Sequence, residues 1–244
     1  MMFANEYYQK VTELLHTIYT EESWVIEKAG TVVAEVFRRD GLLHVFGCGH
    51  SHLIQEELFF RAGGLAPINP IFETSTMLHE GAVKSSKIER MSNYAPLVLE
   101  RYPVTPGDAF LISSNSGINS FPIEMAQAAK NAGATVIGIT SLSYLETPSR
   151  HEEDLHLADV CDITINNHVP VGDACIPVTS DGTKSGPLST LAGIFIANSL
   201  VLSACDRLRE WGIEPQVYQS GNCQGGDQHN ADLIAHYKPR IRHL

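Results

Sequence analysis

Two short segments of the chain combine glycine with serine in a pattern suited to binding a phosphate group. The first loop, residues 47–51 (GCGHS), and the second loop, residues 112–120 (ISSNSGINS), each follow an apolar run and precede a segment with helical periodicity. Glycine lets a backbone turn sharply and approach a ligand closely, and the free N–H groups at a helix N-terminus attract anions. Two such loops in one chain predict a single phosphorylated ligand held between them.

The rest of the chain alternates between apolar runs typical of buried strands and segments in which apolar residues recur at helical spacing. Strands are predicted at residues 42–47, 66–72, 109–112, 135–140 and 160–165. Helices are predicted at residues 5–39, as one or two helices, and at residues 51–63, 120–132 and 187–211. This alternation indicates an α/β fold with a doubly wound parallel sheet, whose ligands bind beyond the carboxyl ends of the strands. Both loops fall at such strand ends.

The runs at residues 106–117 (PGDAFLISSNSG) and 133–140 (GATVIGIT) are separated by one of these predicted helices. Together they resemble the signature of the sugar isomerase (SIS) domain family, and the first loop resembles the family's Gly-x-Gly-x-Ser loop. The resemblance covers residues 40–210 and is greatest to phosphoheptose isomerases and a related group of uncharacterised proteins. It implies a flavodoxin-like, five-stranded parallel sheet that binds phosphosugars, usually in a homodimer or homotetramer.

On this interpretation the whole chain, residues 1–244, is a single SIS-type domain. It is divided into an N-terminal helical extension (1–40), an SIS core (41–211) and a C-terminal tail (212–244).

The resemblance also implies which loop residues hold the ligand. Carried over by position, the hydroxyls of Ser51, Ser114 and Ser116 and the loop amides would bind the phosphate. Asn119 stands where the family usually has threonine or serine, and its amide can still donate a hydrogen bond. The complete predicted substrate-binding set is Gly47, Gly49, His50, Ser51, His52, Arg61, Ser114, Asn115, Ser116, Gly117 and Asn119.

Aldose–ketose isomerisation needs a base that moves a proton between adjacent carbons and an acid that helps to open the ring, and glutamate and histidine suit these roles. The predicted catalytic residues are Glu56 and Glu57, on the helix after the first loop, and His79 and His229, in two segments outside the alternation. The segment around His79 is interpreted either as a loop that closes over the site or as an ordinary surface loop. The glycine-rich segment around His229 is interpreted as a lid, as an arm that reaches a neighbouring subunit, or as a surface loop.

Several other interpretations of these residues remain open. Gly47 and Gly49 form half of a dinucleotide fingerprint, but His52 occupies the third glycine position. His50 and His52 could ligate zinc, although no further ligands stand at a recognisable spacing, and neither a metal nor a cofactor is predicted. The serines could serve only as helix caps.

A non-catalytic phosphosugar sensor, or a sugar-phosphate lyase or etherase, is the alternative to an isomerase.

Composition favours a globular protein without nucleic-acid or membrane partners. The 244 residues carry a net charge of −11 and include no basic run of the kind that contacts a phosphate backbone. Five cysteines without a C-x-x-C pair indicate reduced thiols and a cytoplasmic location. Residues 1–19 lack the features of a signal peptide, and the apolar residues 191–204 are expected to form a buried helix. The apolar surface of this helix and of the N-terminal helices predicts a homo-oligomer.

Overall fold

A five-stranded parallel sheet lies at the centre of the computed structural model, which describes residues 2–244. Its strands are β1 (Leu43–Gly47), β2 (Ile68–Pro70), β3 (Ala109–Ser113), β4 (Thr135–Thr140) and β5 (Ile163–Asn166). They are arranged in the order β2-β1-β3-β4-β5, so the direction of winding reverses between β1 and β3. This arrangement confirms the predicted flavodoxin-like sheet. Residue 1, part of the predicted helical extension, lies outside the described residues.

Helices cover both faces of the sheet. They are α1 (Met2–Arg38), α2 (His52–Leu58), α3 (Ala82–Ile88), α4 (Ala95–Leu99), α5 (Ser120–Asn131), α6 (Leu157–Val160), α7 (Ser189–Glu210) and α8 (Gly226–Tyr237). Strand side chains alternate between the faces: Val45 packs with α1, α2 and α7, whereas its neighbour Phe46 packs with α4, α5 and α6. The two resulting cores, one on each face of the sheet, hold the helices in place against the strands.

Several element boundaries differ from the sequence prediction. The N-terminal segment forms one continuous helix, and α2 ends at Leu58, several residues before the predicted end, because Phe59 is extended and Phe60 has a positive φ of 40°. A short antiparallel hairpin of β6 (Ala174–Pro177) and β7 (Lys184–Pro187) was not predicted. Pro187 therefore ends a strand and does not begin α7. Likewise the first residue of the predicted fifth strand, Val160, ends α6, and β5 begins only at Ile163.

The closing helix α7 is long and apolar enough to cross a membrane by length and composition alone. In this fold it packs between α1 and α2, as expected for a buried core helix. Its buried residues are Ala192, Gly193, Ile196, Ala197, Leu200, Val201, Ala204 and Leu208.

A buried carboxylate, Asp108, joins three strands at the amino end of the sheet. Its Oδ1 accepts a hydrogen bond from Leu42 N (2.9 Å), and its Oδ2 accepts from Thr105 N and Thr105 Oγ1 (both 2.8 Å). The buried His44 ring lies with Nε2 3.2 Å from Oδ2 and Nδ1 3.0 Å from the Asn69 amide nitrogen. Because Asn69 donates to Nδ1, the proton sits on Nε2 and is donated to Asp108. The Gly-Asp turn of the sequence signature is thus a structural anchor.

We predict that Asp108→Asn destabilises the protein in a pH-dependent way. Burial opposes the charged form of Asp108, but the hydrogen bonds from His44, Leu42 and Thr105 outweigh it and lower the pKa to about 2. A lowered pKa in the folded state stabilises the fold at neutral pH, by about 2 kcal/mol for a shift of this size. That stabilisation is lost as the pH falls from about 4 towards 2. Chemical denaturation at several pH values should therefore show a difference between wild type and variant that shrinks below about pH 4.

Asp232→Asn, on the exposed surface of α8, is the matched control and should leave the free energy of unfolding nearly unchanged. A constant difference between wild type and Asp108→Asn down to pH 2 would contradict the assignment.

Candidate functional site

The two glycine–serine loops lie side by side at the carboxyl end of the sheet. Parallel pairing places Gly47, the last residue of β1, opposite Ser113, the last residue of β3. Between the loops is an open crevice of about 350 Å³, a size typical of small-molecule sites. Its lining residues are Cys48, Gly49, His50, Ser51, Leu78, Ala82, Ser85, Ser86, Glu89, Ser114, Asn115, Ser116, Asn119 and Ser189. The crevice lies where the winding of the sheet reverses, which is the usual ligand position in open α/β sheets.

The second loop turns its peptide carbonyls away from the crevice. The segment after β4 donates to them through Ser141 N to Asn115 O (2.9 Å), Leu157 N to Gly117 O (2.8 Å) and Arg150 N to Ile118 O (2.8 Å). In the described chain no acceptor is bound to the amides of Asn115, Ser116, Ile118 and Asn119. Successive backbone N–H groups without partners form a concavity that binds anions. The second loop therefore has the donor arrangement that an anion site requires.

The serine hydroxyls of both loops are not used as helix caps. The N-cap positions of α2 and α5 are Ser51 and Asn119, and neither side chain makes a capping hydrogen bond. Ser114 Oγ accepts from Gly117 N at 3.3 Å, which closes the second loop on itself. The hydroxyls of Ser51 and Ser116 have no partner within residues 2–244. The interpretation of these serines as caps alone thus finds no support in the contacts.

Two glycines are required by close packing of the loops. A Cβ atom on Gly47 would lie 2.5 Å from the carbonyl oxygen of Ser51. Gly117 has a φ of 63°, and a Cβ there would lie 2.6 Å from Thr140 Oγ1. Any larger residue would push either loop out of its position.

One crevice residue that the sequence did not single out is Glu89, which follows α3. Its Oε1 accepts a hydrogen bond from Asn119 Nδ2 at 2.8 Å, while Arg150 Nη1 donates to Asn119 Oδ1 at 2.6 Å. Burial raises the pKa of Glu89. Both ends of the Asn119 amide thus have partners within the protein, although Asn119 also lines the crevice, as expected for a substrate-binding residue. Glu89 lies in the segment that broke the strand–helix alternation, and that break was the sequence's only signal for it.

The structure brings Glu56 and His79 together at the edge of the crevice. His52 lies between them: its Nε2 is 3.3 Å from Glu56 Oε1, and its ring centroid is 6.4 Å from that of His79. The other ring nitrogen of His52 contacts the carbonyl oxygen of Gly49. Leu78, beside His79, lines the crevice itself. These three side chains form a polar group next to the predicted ligand position, which we call the edge cluster.

The remaining predicted site residues lie elsewhere in the chain. Glu57 pairs with Arg61 and accepts from Asn198 Nδ2 (3.2 Å), and all three line a separate small cavity between α2 and α7. His229 is on α8, with Nε2 2.9 Å from Val217 O. This helix packs at the amino end of the sheet, where Arg240 and His236 bind Asp40, so within one chain His229 does not reach the crevice.

No group of three or more His, Cys, Asp and Glu side chains within residues 2–244 is arranged to hold a metal ion. His50 and His52 make different contacts. His52 contacts Gly49 and Glu56, whereas His50 lines the crevice.

Comparison with known proteins gives the family. The family described as the SIS domain matches residues 6–141, which is more than half of the chain and includes most of α1. The chain therefore belongs to the SIS-domain family. It is also 43% identical over 238 residues to a UPF0309 protein of Geobacillus thermodenitrificans (strain NG80-2), covering 97% of this chain and 96% of that relative. This similarity places it in the UPF0309 group.

Two solved structures share the fold. Phosphoheptose isomerase from Neisseria gonorrhoeae superposes with a TM-score of 0.56 at 13% sequence identity, covering 83% of this chain and 97% of that one. The Vibrio vulnificus NanR protein complexed with ManNAc-6P gives a TM-score of 0.54 at 14% identity, covering 96% of this chain and 69% of that one.

Proposed function

We propose that this protein binds a phosphorylated sugar in the crevice and interconverts its aldose and ketose forms by proton transfer. The observation that carries the proposal is the second loop. Its carbonyls accept hydrogen bonds from the segment after β4, four of its amides have no acceptor within the described chain, and Ser114, Asn115 and Ser116 line the crevice. Support comes from the shared fold of a phosphoheptose isomerase and of a protein complexed with ManNAc-6P.

Neutral donors hold the phosphate in this proposal. Among the residues that line the crevice there is no lysine or arginine, whereas six are serines. Backbone N–H groups and hydroxyls bind a phosphate dianion through charge-assisted hydrogen bonds, each stronger than a bond between two neutral groups. An adjoining ammonium group is then not required for tight binding.

The combined substitution Ser114→Ala and Ser116→Ala should weaken sugar-phosphate binding strongly. A hydrogen bond to a charged group contributes about 1.5–3 kcal/mol, so losing two should lower affinity by about a hundredfold or more. A thermal-shift screen of phosphorylated hexoses, heptoses, amino sugars and N-acetylated sugars would identify a ligand. Calorimetry on wild type and variant would then measure the loss of affinity for that ligand.

Ser143→Ala is the control, because it removes an exposed hydroxyl from the turn after β4, outside the crevice lining. Unchanged affinity in a folded double variant would disprove the phosphate assignment. Tight binding by wild type without turnover would favour a sensor, and release of a fragment from the sugar would favour a lyase or etherase.

The edge cluster is proposed to supply the acid that opens the sugar ring and protonates its oxygen. Imidazole and carboxylate groups suit this role. In the edge cluster His52 contacts Glu56, and the His52 ring lies next to the ring of His79, which follows the crevice residue Leu78. Glu57 and His229 were equally eligible by sequence, but Glu57 lies at a separate cavity between α2 and α7, and His229 lies on α8, which packs at the amino end of the sheet.

Comparing Glu56→Gln, Glu57→Gln, His79→Asn and His229→Asn in a turnover assay tests this choice. We expect Glu56→Gln or His79→Asn to lower kcat by about 10²-fold or more with a small change in KM, as for general acid–base groups. Glu57→Gln and His229→Asn should have smaller effects. Full activity of all four variants would exclude acid catalysis by any of these residues, and loss confined to His229→Asn would indicate a site completed by a neighbouring subunit.

A homodimer formed through α1 and α7 is proposed as the assembly. These helices pack together, yet Tyr19, Trp24 and Leu202 remain 65%, 67% and 64% exposed. A shallow groove between the helices includes Tyr19, Phe195 and Leu202. Exposed apolar patches of this kind mark interaction surfaces.

Analytical ultracentrifugation at micromolar concentration should give at least twice the chain mass of 26.8 kDa. Trp24→Glu combined with Leu202→Glu should shift the protein towards monomer, because buried charges without partners oppose association. Leu145→Glu, which places the same charge on an exposed apolar residue after β4, should not change the assembly. A wild-type monomer would contradict the proposal.

A further inference from the structure

We propose that Glu89 is the catalytic base that moves the proton between adjacent carbons of the bound sugar, and that Asn119 is the residue that positions it. This inference rests on the phosphosugar function proposed above and assigns the carbon-bound proton to a residue outside the sequence-predicted set.

The position of Glu89 is fixed within the crevice. Among the lining residues in the described chain it is the one carboxylate. Its backbone carbonyl accepts from Phe121 N (3.2 Å), which ties the end of α3 to the first turn of α5. Its Oε2 lies 4.0 Å from the point where a Cβ on Gly49 would stand, so this oxygen faces the first loop. Glu89 thus lies between the two loops that would hold the ligand.

The two carboxylate oxygens of Glu89 have different surroundings. Oε1 accepts the hydrogen bond from Asn119 Nδ2. Arg150 donates to the other end of the same amide, and rotation of the amide would turn its NH₂ group towards the guanidinium. The amide orientation is therefore set, and it holds Oε1 while Oε2 remains available to the ligand. A serine or threonine at position 119 would be too short to span the same distance between Glu89 and Arg150.

The surroundings of Glu89 raise its affinity for a proton. Burial raises the pKa of Glu89 against the opposing effects of the Asn119 hydrogen bond and of the positive charges of Arg90 and Arg150. The other titratable residues that line the crevice are His50 and Cys48, and burial keeps the Cys48 thiol neutral by raising its pKa well above the usual value. A carboxyl group with a raised pKa is a stronger proton acceptor when ionised.

The proposed step conserves atoms and electrons. In the open-chain aldose phosphate the Glu89 carboxylate removes the proton from C2, the C–H electron pair forms the C1–C2 double bond, and the carbonyl π pair moves to O1. O1 takes a proton from the edge cluster. The enediol then loses its O2 proton to the same cluster as the C2 carbonyl forms, and the Glu89 carboxyl group returns its proton to C1. The product is an isomer, so no oxidant or reductant takes part.

The test uses Glu89→Gln, which keeps the shape of the side chain and its hydrogen bond from Asn119. Wild type and variant are incubated in D₂O with aldose and ketose phosphates of hexoses, heptoses and amino sugars, and NMR follows isomerisation and deuterium entry at C1 and C2. We expect Glu89→Gln to slow isomerisation and deuterium entry by about 10²-fold or more, within the range for general bases. Binding of the same sugar phosphates, measured by calorimetry, should change by less than about threefold. Glu89→Asp, which keeps a carboxylate, should retain measurable exchange.

Glu124→Gln is the matched control. Burial also raises the pKa of Glu124, and its carboxylate accepts from Asn93 N at 2.7 Å, but it lines a different cavity between α4 and α5. This variant should keep wild-type exchange.

Asn119→Ser tests the positioning role separately. Because the Asn119 hydrogen bond lowers the pKa of Glu89, its removal should raise that pKa. The acidic limb of the kcat–pH profile should therefore move to higher pH, with KM little changed. If kcat falls but the acidic limb of its pH profile stays at the same pH, Asn119 has a merely structural role.

The outcomes separate the two proposals. Full exchange by a folded Glu89→Gln variant overturns this inference and leaves the isomerase function standing. Wild-type protein that binds sugar phosphates and shows no exchange overturns the base role and leaves ligand binding standing. Absence of sugar-phosphate binding by wild type overturns the proposed function and this inference with it. Loss of binding of amino-sugar phosphates alone in Glu89→Gln would assign the carboxylate to ammonium recognition and overturn its role as base.

Discussion

The crevice depends on the parallel pairing of β1 with β3, which ends both strands at the same level and sets Gly47 opposite Ser113. Because the winding of the sheet reverses between these two strands, the helices that follow them lie on opposite faces and leave a gap at the strand ends. The first loop crosses one side of that gap and the second loop the other. A shift of one residue in this register would turn the strand side chains to the wrong cores and separate the two loops.

Polar groups have different roles at the two ends of the sheet. At the amino end, Asp108 and His44 form a closed network in which nearly every donor and acceptor has a partner, and the network joins β1, β2 and β3. At the carboxyl end, loop amides and hydroxyls lack partners within the described chain. Unpartnered polar groups next to an open crevice remain solvated and can exchange water for a ligand at small cost. The satisfied end thus holds the strands in register, and the unsatisfied end is the proposed ligand site.

The segment after β4 supports the second loop and also orients Glu89. It donates to three loop carbonyls, and its Arg150 binds Asn119, which in turn binds Glu89. One surface loop therefore fixes both the proposed anion site and the carboxylate beside it. A phosphate placed in the crevice would oppose ionisation of Glu89, and the nearby guanidinium groups offset part of that effect.

Local features were predictable from the sequence because they depend on neighbouring residues. The alternation of apolar runs and helical segments gave the α/β class, and glycine next to serine at strand ends gave the position of the crevice. The Gly-Asp turn before β3 was recognised, although its buried partner His44 was not. The hairpin of β6 and β7 also carried a local signal, the Asp181-Gly182 dipeptide, which is common in hairpin turns and was overlooked.

Contacts between distant residues were decided only by the tertiary structure. Glu89, Asn119 and Arg150 are about thirty residues apart in sequence and belong to three different loops, so no periodicity or spacing links them. The position of His229 also had no sequence signal. Its helix folds back onto the amino end of the sheet through contacts with Asp40 and a small apolar core. The sequence by itself determined which loops carry the glycines and serines of the proposed phosphate site, and it placed the ends of β1 and β3 to within one residue. Which carboxylate stands beside that phosphate was set by how the connecting loops pack on one another, since that packing depends on the whole chain.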